Sequence, residues 1–375
     1  MIKGDVVLNY LEIDTPALVI DEVVLDQNIE HMATFAKRQG VDLRPHTKTH
    51  KMPKLAEKQV QSGAKGITVA KVGEAEIMAV YGQKDIFIAN QIVGKQKLER
   101  IKKLAEKINI SFGIDCIEHV DEIEEVFEGA NKKARVLIEI EVGEERSGVI
   151  EELDFKGLLE HIKTCHNVEL VGIFSHDGHS YKAVDKADCY DIFTTATTRT
   201  LYFSDLARDM GFEIQTVSIG STPPMMFGFD IPEGVTEIRP GTYILMDCSQ
   251  SNAIGTYKHS AASVLTTVIS KPTSERVITD VGAKGLTKQT RNKGITKTEG
   301  LGRIKEFEDV FVDDVFDEHA IIYNREFRQN VSIGDKVRII PNHICPVANL
   351  YHKAYLLRDD EVVETIDIAA QGKLQ

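Results

Sequence analysis

The chain has 375 residues, 42% of them hydrophobic and 27% charged, with no tryptophan; this length exceeds what one hydrophobic core usually supports and predicts a large domain with a smaller one. The formal net charge of -13 argues against nucleic acid or an anionic membrane as the main partner, but not against a small anionic ligand in a local positive pocket. The start has no continuous apolar run before a cleavage site and no segment approaches about 18 uncharged apolar residues. Five cysteines without a CxxC pair suit a reducing cytoplasm better than a disulfide framework.

In chain order, the opening GDVVLNYLEI from residue 4 offers a strand. From about residue 15 to 247, short apolar runs alternate with amphipathic ones. Expected strands are VDLRPH from 41, GITVAK from 66, DIFIAN from 85, ISFGID from 110, RVLIEIEV from 135, LVGIFSH from 170, TVSIGS from 216 and EIRPGTYIL from 237. Between them, LDQNIEHMATFAKRQG and GKQKLERIKKLAEKI carry apolar residues at helical spacing. Eight buried-looking strands joined by helices predict a (β/α)8 TIM barrel over 15–247, with a doubly wound sheet as the alternative. Beyond 247 the texture changes. AASVLTTVISKP, ERVITDVGAKG, DKVRIIPNHICPVANLY and KAYLLRDDEVVETIDI alternate β-branched and polar residues, which predicts an antiparallel β domain of 248–375, joined by residues 1–14.

A barrel enzyme works at the C-terminal ends of its strands. There the first strand presents RPHTKTHK, with Lys48 between His46 and His50 and flanked by Arg44 and Lys51. Such a run is either a solvated basic turn or a setting that depresses the lysine pKa and makes the amine nucleophilic. The second strand ends at Lys71, the fifth offers Glu141 and Arg146, and the sixth offers His176, Asp177 and His179. The seventh runs into GSTPP, where Gly220 permits close approach and Ser221 and Thr222 bring hydroxyls and backbone N–H groups suited to a phosphate. Taken by itself, the motif is better explained by a plain Gly-Ser turn capped by proline. A reactive lysine and a phosphate cradle on one barrel are together what pyridoxal 5'-phosphate needs.

Farther on, PNHICP puts His343 and Cys345 two apart, on one face if the segment is a strand. Imidazole and thiolate suit zinc, although an isolated H-x-C is more often a buried cysteine beside a hydrogen-bonded histidine.

RPHTKTHK, AKVGEAE, IANQIVG, GSTPP and PNHICP together resemble the D-threonine aldolase and D-serine dehydratase family, whose members have an alanine-racemase-type barrel followed by a β domain. The resemblance runs from TPALVID at 15 to the C-terminal domain. It implies that Lys48 binds pyridoxal phosphate covalently, that Gly220, Ser221 and Thr222 hold its phosphate, and that Arg146 lies near its phenolic oxygen. It further implies Arg239, with Tyr243 in the same RPGTY motif, beside the cofactor ring, and His343 and Cys345 as ligands of a divalent metal, zinc or manganese. His176 or His179 would be the base. The implied reaction is retro-aldol cleavage of a D-3-hydroxy amino acid, D-threonine above all, to glycine and an aldehyde, in a cytoplasmic homodimer. Cys345 departs from the His-x-Asp of well-known aldolases and matches zinc-dependent D-serine dehydratases, so dehydration to pyruvate and ammonia is the alternative. An amino-acid racemase, a non-catalytic cofactor carrier and a cofactor-free sugar- or nucleotide-binding barrel are the further rivals.

Overall fold

The computed structural model describes residues 8–375. Two compact units divide them: His31–Lys48, Pro53–Gly241 and Gly372–Gln375 in one, and the chain up to Glu30 with Thr49–Met52 and Thr242–Gln371 in the other. In chain order, β1 (Ala17–Asp21) belongs to the second unit and the next eight strands to the first.

Those eight are β2 (Asp42–Leu43), β3 (Ile67–Val69), β4 (Asp85–Gln91), β5 (Asn109–Ile114), β6 (Ala134–Ile140), β7 (Val168–Ser175), β8 (Thr216–Ile219) and β9 (Glu237–Ile238). All pair in parallel, in the order β2-β9-β8-β7-β6-β5-β4-β3. The ring closes where His46 bridges Thr68 and the Thr68 N–H donates to the Pro45 carbonyl at 2.8 Å. The expected barrel is present, because parallel strands covered on both faces read as continuous apolar runs. Its interior packs Phe87, Leu137, Val171 and Phe174, with the two phenyl rings edge to face at 5.0 Å. Arg44 ties its base by donating to Asp85 at 2.6 Å and to Glu237 at 2.7 Å.

The last expected barrel strand is shorter than read. Only Glu237–Ile238 is strand, and after Pro240 and Gly241 the chain turns into a 3-10 helix at Thr242–Ile244, since proline offers no N–H to a ladder.

The second unit holds a nine-stranded sheet of β1, β10 (Ala262–Ser270), β11 (Arg276–Thr279), β12 (Gly302–Ile304), β13 (Asp314–Val315), β14 (Ala320–Tyr323), β15 (Lys336–Pro341), β16 (Lys353–Arg358) and β17 (Glu361–Asp367). It is antiparallel except where β1 runs parallel to β16. Ile13, Ala17, Val19, Leu265 and Leu357 form one of its buried clusters. Of the strand expected at 4–13, residues 4–7 lie outside the described residues. The remainder makes a bridge from Asn9 to Glu361 and a 3-10 turn at Tyr10–Glu12 instead of a strand.

Candidate active site at the barrel strand ends

The basic run around Lys48 is dispersed by the fold. Arg44 is engaged with its two acids. In the other unit, Lys51 donates to Asn349 at 2.8 Å, and the Met52 N–H donates to Nδ1 of His50 at 3.0 Å. Within the barrel unit, the charge on Lys48 acts on His46, on His176 from the end of β7 and on Glu144 from the loop after β6. Of the local crowding His46 remains, and side chains from other strands join it.

His176 is fixed by a 2.5 Å hydrogen bond from Nδ1 to the Gly220 carbonyl. A carbonyl only accepts, so Nδ1 carries the proton and Nε2 keeps its lone pair. Burial, followed by the charges of Lys48 and Arg146, holds this imidazole well below the usual histidine range. His46 is depressed likewise, by burial first and then by Lys48 and Arg239. Both rings are therefore neutral at neutral pH. His179 is half-buried, and its Nδ1 is enclosed with no hydrogen-bond partner.

Arg239, at the end of β9, donates to Ser218 Oγ and to the Ser175 carbonyl, both at 2.6 Å, and lies 5.3 Å above the Phe174 ring. Burial pushes its pKa down to about 10 against the pull of Glu237, Glu139 and Asp177. Arg146 pairs with Glu139 at 3.3 Å and Glu144 at 3.4 Å. Glu141, the acid expected at this strand end, instead accepts the backbone N–H groups of Gly143 and Glu145 and folds the loop.

After β8, Ser221 precedes the short helix Thr222–Met226. Its hydroxyl donates to Asp177 at 2.9 Å and lies 3.1 Å from Ser180 Oγ, while the Thr222 N–H donates to the Tyr181 hydroxyl at 3.2 Å. Pro223 and Pro224 supply no N–H, so a phosphate here depends on the backbone of residues 220–222 and the Thr222 hydroxyl. Gly220 is required by the fold itself: a Cβ there would meet the Arg239 backbone at 2.9 Å.

Tyr243, His343 and Cys345 belong to the second unit. Tyr243 is fully buried in the Thr242–Ile244 turn. His343 and Cys345 are not on a strand, contrary to expectation. β15 stops at Pro341, and His343 precedes the helix Ile344–Ala348 that contains Cys345. Pro346 in the first turn favours this, since its missing N–H is an orphan there anyway, and Asp247 accepts the Ile344 N–H at 3.0 Å. His343 Nδ1 lies 3.1 Å from Gln289 Oε1, and Cys345 Sγ lies 3.4 Å from Thr49 Oγ1.

Sequence reasoning passed over Glu139, Glu144 and Gln91. Glu139 accepts from Gln91 at 2.5 Å and from Ser147 at 2.9 Å besides Arg146. A glutamate on the buried side of the apolar run VLIEI was the signal. Also unforeseen was Asp115, Cys116 and His119, the one three-member group of possible metal ligands among the described residues. Asp115 accepts the Gly148 N–H at 3.0 Å and so anchors the loop that carries Arg146.

The family described as "Alanine racemase, N-terminal domain" matches residues 20–249, more than half of the chain. The chain belongs to that family. The "Putative serine dehydratase domain" matches 261–357. Among similar proteins, a D-threonine aldolase of Arthrobacter sp is 30% identical, the match covering 96% of this chain and 93% of that one. A D-threo-3-hydroxyaspartate dehydratase of Delftia sp. is 28% identical over 95% and 97% of the two chains, and a D-serine dehydratase of Dictyostelium discoideum 27% over 94% and 95%. The crystal structure of D-threonine aldolase from Filomicrobium marinum superposes with a TM-score of 0.89 at 27% identity, covering 98% of this chain and 99% of the other. The family member is therefore an enzyme of the lyase type. No helix among the described residues is long and apolar enough to cross a membrane.

Proposed function

We propose that this protein is a lyase that uses pyridoxal 5'-phosphate and a divalent metal on D-3-hydroxy amino acids, cleaving D-threonine to glycine and acetaldehyde. The observation that carries the reading is the convergence of Lys48, neutral His176, Arg146 and a fixed, buried Arg239 at the strand ends of one barrel.

The residues fit the cofactor by the chemistry of their donors. Lys48 is the amine that would hold it, the backbone of Gly220 to Thr222 would take its phosphate, Arg146 its phenolic oxygen, and Arg239 its ring nitrogen. When bound, the cofactor supplies a sink for the electron pair released as a bond to Cα breaks. The chain's own residues then decide which bond that is. With Nδ1 donating to Gly220, His176 offers Nε2 as acceptor for the β-hydroxyl proton, and His179 is the second candidate. Removal of that proton releases the Cα–Cβ bond. If Lys48 Nζ takes the Cα proton instead, hydroxide leaves and the outcome is dehydration.

His343 and Cys345 would hold the metal, with zinc or manganese as the ion. An imidazole whose Nδ1 meets a side-chain amide oxygen is oriented as metal-binding histidines commonly are, and a thiolate beside it suits zinc. The Delftia dehydratase offers a parallel, having been solved with a cysteine replaced by alanine in a metal-free form, and with a histidine two positions earlier replaced. A metal would polarise the β-hydroxyl as a Lewis acid. The soft Cys345 ligand and the serine dehydratase domain match favour D-serine dehydration as the second reading. A homodimer in the cytoplasm belongs to the same proposal.

The test is turnover of D-threonine and D-serine with and without added zinc or manganese. Metal-dependent acetaldehyde and glycine from D-threonine are expected. Pyruvate from D-serine as the dominant product selects the second reading, and racemisation of alanine that persists in excess chelator sinks both.

A further inference from the structure

Resting on that reading, we infer that Glu144 sets the charge class of the substrate: it admits a neutral group on Cβ and turns away a second carboxylate. Glu144 lies on the loop between β6 and the following helix, facing Arg146, the Asp177–His179 turn and the charge of Lys48. Its carboxylate is packed against Gly178, where an added Cβ would fall within the carboxylate itself. Its Oε2 is buried and meets Arg146 Nη1 at 3.4 Å without a hydrogen bond, and Nδ1 of His179 in the neighbouring turn is buried with no hydrogen-bond partner. Buried polar atoms normally find partners. Two orphans on adjacent loops, beside the lysine that would hold the cofactor, mark where a bound ligand supplies the missing groups. Oε2 of an ionised glutamate only accepts, so it calls for a donor: a hydroxyl or an amide N–H.

The arginines around Glu144 already face protein acceptors. Arg146 is shared between Glu139 and Glu144. Arg239 donates to Ser218 and the Ser175 carbonyl and is the residue proposed to face the cofactor ring, and Arg199 donates to the Glu141 and Ile150 carbonyls. Glu139, Glu144 and Asp177 already bring three carboxylates, and a phosphorylated cofactor with the substrate's α-carboxylate adds more negative charge. A β-carboxylate would meet Glu144 in a partly desolvated setting, where like charges repel strongly. Substrates such as 3-hydroxyaspartate, named for two of the relatives, are thereby disfavoured, and threonine- or serine-like ones favoured.

D-Asparagine and D-aspartate share a shape, differ in this one charge and lack the β-hydroxyl needed for cleavage. Calorimetric titration of the cofactor-loaded protein near pH ~8, where carboxyls are ionised, should show D-asparagine binding at least about tenfold tighter, a difference of about 1.4 kcal/mol. In Glu144→Gln the ratio should fall below about threefold, chiefly by tighter D-aspartate binding. Equal affinities in the unaltered protein, or an unchanged ratio in the variant, overturn the inference. Glu144→Met serves as second variant and should collapse the ratio too. If the ratio behaves as expected but D-threonine and D-serine are untouched, the lyase reading fails while the charge selection stands. Cleavage with equal affinities strikes the selection alone.

Discussion

Lys48 illustrates why residue neighbours in the sequence are a poor guide to residue neighbours in a site. Of the groups crowding it in the chain, Arg44 and Lys51 have partners of their own, while His46 stays within reach of its charge and His176 joins from the end of β7. Those two imidazoles give a pH signature. Each is held neutral in the fold, with its pKa lowered well below the ordinary value, while the unfolded chain takes up protons near pH ~6.5. As pH falls through that value, the unfolded state binds protons that the folded state refuses, so stability declines on acidification. The urea midpoint should therefore drop between about pH 7.5 and about pH 5.5, and His176→Asn should flatten part of the slope. A slope unaltered by that variant would show that His176 is not held neutral. That Lys48 and the strand-end histidine His176 lie near one another was legible because the barrel brings strand ends together whatever the side chains are. Glu144 was not, since nothing in a charged loop announces which acid will be buried.

At the scale of elements, the eight parallel strands could be read because burial on both faces demands uninterrupted apolar runs. The H-x-C segment could not. It alternates like a strand, yet Pro341 and Pro346 bracket a chain that turns into a helix, and the side chains do not share a strand face. β1 was not among the expected strands, and the short apolar run ALVI does not say which sheet it will join. The GSTPP turn carries a prediction of this scale. Because a Cβ at Gly220 would press on the Arg239 backbone, Gly220→Ala should lower folding stability by about 1–3 kcal/mol through overpacking, whatever its effect on the cofactor. Thr222→Ala, which adds no atoms, should cost no overpacking and weaken cofactor binding by about 1–3 kcal/mol. Calorimetric melting together with cofactor titration separates the two. Equal and negligible effects would reduce the motif to an ordinary turn.

For the whole molecule, the change of texture after residue 247 was visible, although a helix at Cys248–Ile254 opens the region that read as strands. The division of labour yields a test. Apart from Tyr243, the proposed cofactor-binding residues are in the barrel unit, and the proposed metal ligands are in the other. Chelation should thus abolish lyase activity while leaving the visible absorbance of the bound cofactor nearly unchanged, and Cys345→Ala should mimic it. Loss of the cofactor spectrum on chelation would contradict this separation. Cys345→Asp replaces a soft ligand with a hard one, so metal preference should move from zinc toward manganese. The central claim is that Lys48 carries the cofactor, and it is tested most directly by borohydride reduction of the yellow holoenzyme followed by peptide mapping. The pyridoxyl label should be found on Lys48, and a label on Lys51 or Lys71, or none on any lysine, would contradict it.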